Sequence, residues 1–373
     1  MGKSPMDRVV SQWSDSLPQP LEQCAKQTLT RKLNSYTIYG TMLLLPAGTM
    51  DLSKQNHIMT HGPEALTDLF DRMAEVLQVT HIAVNKPIPP SKADRDDSRN
   101  KIRSPINFQP IRGEFGPRKC HTPPSQKDFD NAFWTTAKQN GIYQTWAPRW
   151  TMFSRGNISE KARLLELDSI STAVRLGKAD GRGCTAVDFY VGIGYFAFSY
   201  LKAGVSKVVG WDLNPWSIEG LRRGAAANKW KHVTYEADSD LEQMARSNSR
   251  LLIFAETNER AHERLNVVRA QLPPIRHVNC GLLPTSKGSW KTAFSALDPE
   301  LGGWIHVHEN FCKWEQEKLA EEVRRQFQRM LECAAVRDYS GTVVLESINV
   351  VKTYAPGVVH VVLDIYVPPH PAP

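Results

Sequence analysis

Hydrophobic and polar positions alternate irregularly over the first third of the chain and regularly over the rest. Residues 1–35 are polar and mixed and read as peripheral. Residues 36–46 (YTIYGTMLLLP) have strand content. Leu66, Leu69, Phe70, Met73 and Leu77 recur at helical spacing, which predicts an amphipathic helix over 64–77. Residues 86–124 are rich in Pro, Lys, Arg and Asp and lack periodicity, so a long irregular connection is expected. The stretch 140–151 (NGIYQTWAPRWT) joins aromatic residues to turn residues and predicts a hairpin. In MFSRGNISEKARLLEL (152–167), Asn157 followed by Glu160 resembles a capping box, so a helix is expected from 158 to 167.

From residue 186 onward short apolar runs alternate with helical ones. Strands are predicted at 186–190, 205–210, 234–235, 275–283, 303–308, 342–351 and 358–367. Asn214 and Pro215 open a helix to about 228 as N-cap and first helical residue. Leu319, Val323, Phe327 and Leu331 form the stripe of another helix. The charged stretch within 251–272 (ETNERAHERL) reads as an insertion. The alternation predicts an α/β fold, Rossmann-like, with a mostly parallel seven-stranded sheet and an antiparallel edge. That is the class I S-adenosylmethionine-dependent methyltransferase architecture. An N-terminal α+β region (1–115) and a connecting segment (116–178) precede the catalytic domain (179–373).

Composition is that of a globular chain of 373 residues, with 23% charged and 41% hydrophobic residues. The net charge of +7 fits either a solvated basic surface or affinity for a polyanion. Basic residues Lys92, Arg95, Arg99, Lys101, Arg103, Arg112, Arg118 and Lys119 crowd the irregular connection. Six cysteines lie scattered without zinc spacing, so no metal is expected. There is no long apolar run and no apolar segment behind the N-terminal charges. No membrane association is therefore expected, and a cytoplasmic setting is.

The chemistry concentrates in VDFYVGIGYFAFSYLKAGVSKVVGWDLN (187–214), which reads strand, glycine turn, helix, strand, acid. Gly192, Gly194 and Ala197 fit the G-x-G-x-x-G/A pattern that lets backbone approach a ligand. Asp212 follows Gly194 by 18 residues, where an acid holds ribose hydroxyls. The pattern fits NAD almost as well as S-adenosyl-L-methionine. Three features favour the latter: Asp188 inside the first strand, the missing third glycine, and the terminal strand pair. An acid after the third strand, Asp238, is expected on the adenine side. Ser154 and Lys161 flank a helix start and suit a carboxylate.

VDFYVGIGYF, the DLNP of 212–215 and MFSRGNISEK resemble the family of tRNA-modifying enzymes that holds the tRNA guanine-N1 methyltransferases and the wybutosine-synthesizing aminocarboxypropyltransferases. GLLPTS (281–286), GGWIHVHEN (302–310) and VKTYAPGVVHVVLD (351–364) are similar to the second branch. Where the methyltransferases carry Asn-Leu-Pro after the fourth strand, this chain has Leu282-Leu283-Pro284. The resemblance implies transfer of the 3-amino-3-carboxypropyl group from S-adenosyl-L-methionine to 4-demethylwyosine, beside the anticodon of phenylalanine tRNA, with release of methylthioadenosine. It also implies cofactor contacts at Ser154, Lys161, Asp212, Asp238 and Ser239, with Ser239 beside Asp238 on the adenine side. Guanine methylation and non-catalytic tRNA binding are the competing readings.

The nucleophilic carbon must lose a proton. His306, His308 and Glu309 stand at the end of the fifth strand, but packing explains them equally well, so no general base is assigned. Trp146, Trp150, Tyr195 and Phe196 are the aromatic residues near the motifs that could stack on a loop base.

Overall fold

The computed structural model describes residues 4–49, 62–85, 104–105, 108–236, 239–334 and 339–370. They form two compact units: Met1–Ala137 with Thr145–Phe153, and Lys138–Gln144 with Ser154–Pro373.

The first unit carries helices α1 (Pro5–Asp15), α2 (Gln23–Leu33) and α3 (Gly62–Leu77). Its four-stranded sheet has the order β1 (Thr37–Tyr39), β2 (Met42–Leu45), β3 (His81–Asn85), β4 (Phe108–Arg112). The residues read as peripheral are in fact structural. Met6, Val9, Val10 and Trp13 recur on one face of α1 and are buried against Leu29, Leu33, Leu69 and Phe70. Ser4 and Asp7 form a reciprocal capping box that starts this helix. Strand β4 lies inside the stretch 86–124 expected to be irregular, and the short helix α4 (Gln126–Asn131) follows it. Within that connection Lys92, Arg95, Arg99, Lys101 and Arg103 lie outside the described residues. Arg112 is tied to Asp71 at 2.6 Å, whereas Arg118 and Lys119 are exposed. The expected hairpin joins β5 (Thr135–Gln139) to β6 (Ile142–Trp146). Asn140 and Gly141 both take positive φ in its two-residue turn, as such turns require.

The second unit opens with helices α5 (Ile158–Glu166) and α6 (Asp168–Ala179). Asn157 precedes α5 but closes a 3₁₀ turn rather than taking the extended backbone of an N-cap, so it makes no side-chain cap, and Glu160 turns to Arg163 and Asn349. There follow β7 (Thr185–Asp188), α7 (Ala197–Ala203), β8 (Lys207–Trp211), α8 (Pro215–Ala227), β9 (His232–Tyr235), α9 (Leu241–Arg246) and β10 (Leu251–Phe254). Then come α10 (Ala261–Val268), β11 (Ile275–Cys280), α11 (Trp290–Ala296), β12 (Gly303–Cys312), α12 (Gln316–Ala334), β13 (Val344–Ala355) and β14 (Val358–Val367).

The strands form one sheet of order β13-β14-β12-β11-β7-β8-β10-β9. It is parallel from β12 to β9 and antiparallel across β12, β14 and β13. The predicted architecture holds, with eight strands among the described residues rather than seven. The additional one is β10, inside the stretch read as an insertion. Its four residues are fully buried and pair with both β8 and β9. Apolar clusters cover both faces of the sheet. The strand order reverses between β7 and β11, and in open α/β sheets ligands gather at the carboxyl ends beside such a reversal. Among the described residues no helix is long and apolar enough to cross a membrane.

Candidate active site

The glycine loop sits at that reversal. Gly192 and Gly194 have φ of +53° and +88°, which side chains rarely adopt. A Cβ on Gly194 would stand 2.7 Å from the Phe198 ring, so the loop closes only with glycine there. Ala197, fully buried, opens α7. Asp212 follows β8 and is drawn back onto the loop. Its Oδ2 accepts from the Gly192 amide at 3.0 Å and its Oδ1 from the Asn214 amide at 2.7 Å.

Asp188 ends β7 and is fully buried. Its Oδ1 accepts from the Tyr190 amide at 3.2 Å and from Asn279 Nδ2 at 3.1 Å. Burial pushes its carboxyl up to about 6, against those two hydrogen bonds and with help from the Asp212 charge.

Ser154 and Lys161, more than thirty residues before the glycine loop, are brought to it by Tyr195. The Ser154 amide donates to the Tyr195 hydroxyl at 3.2 Å, and Lys161 Nζ lies 5.6 Å from the centre of the Tyr195 ring. The Ser154 hydroxyl caps no backbone amide. Lys161 is 3% exposed and donates to Gln139 Oε1 (2.5 Å) and Gln144 Oε1 (2.8 Å). Gln144 in turn donates to the Gly194 carbonyl at 3.3 Å. Burial lowers the Lys161 ammonium to about 8. A cation held among neutral amides beside a glycine loop suits an anionic ligand group.

Asp238 lies outside the described residues. Ser239 donates its amide to the Glu236 carbonyl and accepts the Glu236 amide on its hydroxyl (2.9 Å each), in a turn after the edge strand β9. The strand lying against β8 is β10, so the segment after β10 neighbours Asp212. Within that segment Asn258 Nδ2 donates to the Phe189 carbonyl at 2.9 Å. Sequence reasoning missed this segment because β10 itself was read as insertion.

A buried polar seam crosses the sheet beside the loop. Asn279 turns its Nδ2 to Asp188, so its Oδ1 accepts from His308 Nε2 at 3.2 Å. His308 Nδ1 is then the acceptor for His360 Nε2 at 3.0 Å. Burial keeps His308 well below the usual histidine range and lowers His360 to about 4. A second branch runs from His277 to His306 (3.1 Å) and on to Asp364 (2.7 Å). Arg163 grips Asp364 at 2.5 and 3.0 Å and Glu160 at 2.7 and 2.9 Å, which anchors α5 to the sheet. Burial alone would raise Asp364, but His306 and Arg163 hold it well below the carboxylate range. Glu309 accepts from Thr285 and Ser286. His306, His308 and Glu309 are thus all engaged inside the protein.

Two of the aromatic stacking residues are also inside it. Trp146 is 2% exposed, stacked on Phe153 at 4.2 Å, and Phe196 is 4% exposed against His308.

No family model matches the chain. A curated relative from Schizosaccharomyces pombe, tRNA wybutosine-synthesizing protein 2, is 38% identical over 88% of this chain and 72% of its own length. The chain belongs to the tRNA wybutosine-synthesizing protein 2 family. The Saccharomyces cerevisiae protein of the same name is 33% identical over 77% of this chain, which spans 60% of that relative's length. In fold, the chain is similar to P. horikoshii TYW2 solved in complex with MeSAdo, with a TM-score of 0.59, 19% identity, and coverage of 97% of this chain and 99% of that one. The segments that carry the resemblance to the wybutosine-synthesizing proteins converge here: SRGN on Tyr195, GLLPTS on Glu309, and the two terminal strands on the polar seam.

Proposed function

We propose that this protein transfers the 3-amino-3-carboxypropyl group of S-adenosyl-L-methionine to a carbon of 4-demethylwyosine, next to the anticodon of phenylalanine tRNA. Methylthioadenosine is the by-product. Family membership supports the reaction. The observation that carries it at the level of residues is Lys161, a buried ammonium lowered to about 8 and aimed at the glycine loop through Gln144 and Tyr195.

The residues present fit the cofactor. The glycine loop leaves no side chain between backbone and ligand, and Asp212, closing β8 beside the loop, takes the ribose hydroxyls. Lys161 takes the carboxylate of the amino-acid arm, with Ser154 beside it. The adenine side falls to Thr257 and Asn258, from the segment after β10 that neighbours Asp212, whereas Ser239 follows the edge strand β9 and Asp238 lies outside the described residues. S-adenosyl-L-methionine supplies a sulfonium with three electrophilic carbons, of which the methyl is intrinsically the most reactive.

Transfer of the larger arm is therefore a problem of orientation. Well-aligned reactants gain up to roughly 7–11 kcal/mol from orientation, and reversing the preferred carbon needs only a few of these. Lys161 and Ser154 grip the arm, and α5, which carries Lys161, is fixed by the Arg163–Asp364 and Arg163–Glu160 pairs. The side chain of the methyltransferase Asn is absent at Leu282, which removes a polar partner for a guanine ring. Asp188 Oδ2, His277 Nε2 and His360 Nδ1 of the seam have no hydrogen-bond partner but are buried, so no general base is assigned and the proton of the target carbon is given to water.

Exposed Arg118 and Lys119 contribute to binding tRNA phosphates, with affinity falling as salt rises. Incubation with tRNA carrying the tricyclic precursor, followed by mass spectrometry of the nucleosides, tests the reading. A product heavier by one aminocarboxypropyl group supports it. Precursor gaining only a methyl group rejects it.

A further inference from the structure

Strand β12 is longer than its parallel neighbour. Its pairing with β11 ends at Cys280 opposite Val307, while pairing with β14 continues to Cys312 opposite Val358. Five residues thus project past the end of β11, a rise of about 17 Å at 3.4 Å per residue. This antiparallel extension stands at the carboxyl edge of the sheet, the edge that holds the glycine loop.

At its tip is Trp314, 77% exposed, the most exposed large apolar side chain among the described residues. It is not a dangling side chain. The Lys313 amide donates to the Gly357 carbonyl at 2.9 Å, and a Cβ on Gly357 would come within 3.2 Å of the Trp314 ring. The indole therefore lies over the β13–β14 turn, supported on one face by backbone that only glycine leaves flat (φ +75°). Tyr354, 55% exposed, is the penultimate residue of β13, just before that turn.

The surroundings carry charges of both signs. Lys313, Glu315 and Glu317 are exposed at the tip, and Glu315 pairs with Lys318 at 3.5 Å. Half-buried Lys352 reaches Gly156, next to exposed Arg155. An exposed aromatic side chain at the edge that holds the glycine loop, with Lys313 beside it, matches an unstacked nucleobase with its phosphates. An apolar protein partner would instead require a contiguous aliphatic patch.

We infer that Trp314 and Tyr354 form a stacking platform for a single-stranded nucleotide of the tRNA anticodon loop, neighbouring the target base, with Lys352 and Arg155 on the adjoining phosphates. The inference rests on the RNA substrate proposed above. The 17 Å rise, about, spans a few nucleotides, so the platform holds the loop while the target base reaches the glycine loop.

The test measures binding of full-length protein to a phenylalanine tRNA transcript, alongside S-adenosyl-L-methionine affinity. Trp314→Ala is expected to weaken RNA binding about tenfold, the order of one lost base–aromatic stack, and Trp314→Phe to stay within about twofold. Cofactor affinity should not change in either. RNA binding by Trp314→Ala equal to that of the wild type overturns the platform and leaves the proposed reaction standing. Wild-type protein that binds the cofactor but no RNA overturns both. Unchanged RNA binding with loss of self-association would assign the patch to a second copy of the chain.

Discussion

Lys161→Met separates folding from binding at the site. The fall of the ammonium from 10.5 to about 8 makes the buried charge less favourable than in the unfolded chain by about 3 kcal/mol at neutral pH, at 1.36 kcal/mol per pH unit. The unfolded chain binds the extra proton between about 8 and 10.5, so stability of the unliganded protein rises with pH across that window. Methionine removes the charge and keeps most of the volume. Removal of the charge is therefore expected to contribute up to about 3 kcal/mol at pH 7, a gain that vanishes above pH 10.5 and is offset by about 1–3 kcal/mol for each of the Gln139 and Gln144 oxygens left without its donor. Binding moves the other way. Loss of one charge-assisted hydrogen bond, about 1.5–3 kcal/mol, weakens S-adenosyl-L-methionine about 10- to 150-fold. Only the ammonium form pairs with a carboxylate, so wild-type affinity should fall about tenfold between pH 7 and 9, while the variant shows only the titration of the ligand. Methylthioadenosine, which lacks the arm, is the control. Calorimetric titrations with both ligands at pH 7, 8 and 9, beside urea unfolding, read all of this. Equal weakening of both ligands would refute the assignment of Lys161 to the carboxylate, and a stability difference that does not change with pH between 7 and 10.5 would refute the lowered ammonium.

Asp212→Ala should weaken S-adenosyl-L-methionine and methylthioadenosine by a similar factor, about 10- to 100-fold, since both carry the ribose; a loss confined to one ligand contradicts the ribose assignment. Gly194→Ala places a Cβ 2.7 Å from the Phe198 ring at φ +88°, whereas Gly181→Ala, at φ +75° with open space, meets only backbone strain. The first should abolish cofactor binding and the second only lower stability by about 1 kcal/mol, read as a small drop in unfolding temperature by thermal shift with and without ligand. Arg163→Met leaves Asp364 and Glu160 buried without their cation, and should cost about 3–5 kcal/mol in urea unfolding at pH 7. The depressed Asp364 carboxyl stabilises the fold fully above the ordinary carboxylate range, and that contribution is lost as pH falls through and below it. A loss under about 1 kcal/mol for Arg163→Met would show the pair to be unimportant.

The glycine loop and Asp212 were legible because their geometry is local: a strand, two residues with positive φ and an acid closing the next strand follow one another in the chain. The gross order of helices and strands was legible for the same reason. Strand β10 was not, because four apolar residues are outweighed by the charged ETNERAHERL that follows, and only pairing with β8 and β9 reveals them. The stripe of Met6, Val9, Val10 and Trp13 was present in the sequence but hidden in a polar average. Lys161 was marked by its place in a helix start, yet its burial depends on Gln139 and Gln144 from a hairpin tip. The histidine seam could not be read at all. Pairing of His277, His306, His308 and His360 is set by strand register, and no local pattern encodes which histidine meets which. Nothing in the local sequence sets Trp314 apart, and only the projection of β12 beyond β11 leaves it outside.

The central claim is that the amino-acid arm, and not the methyl group, leaves the cofactor. It is tested most directly with S-adenosyl-L-methionine labelled separately at the carboxyl and methyl carbons and tRNA carrying the tricyclic precursor. Carboxyl label in the RNA, with methyl label recovered in methylthioadenosine in equal amount, is the result this structure predicts. Methyl label in the RNA with release of S-adenosylhomocysteine would contradict it.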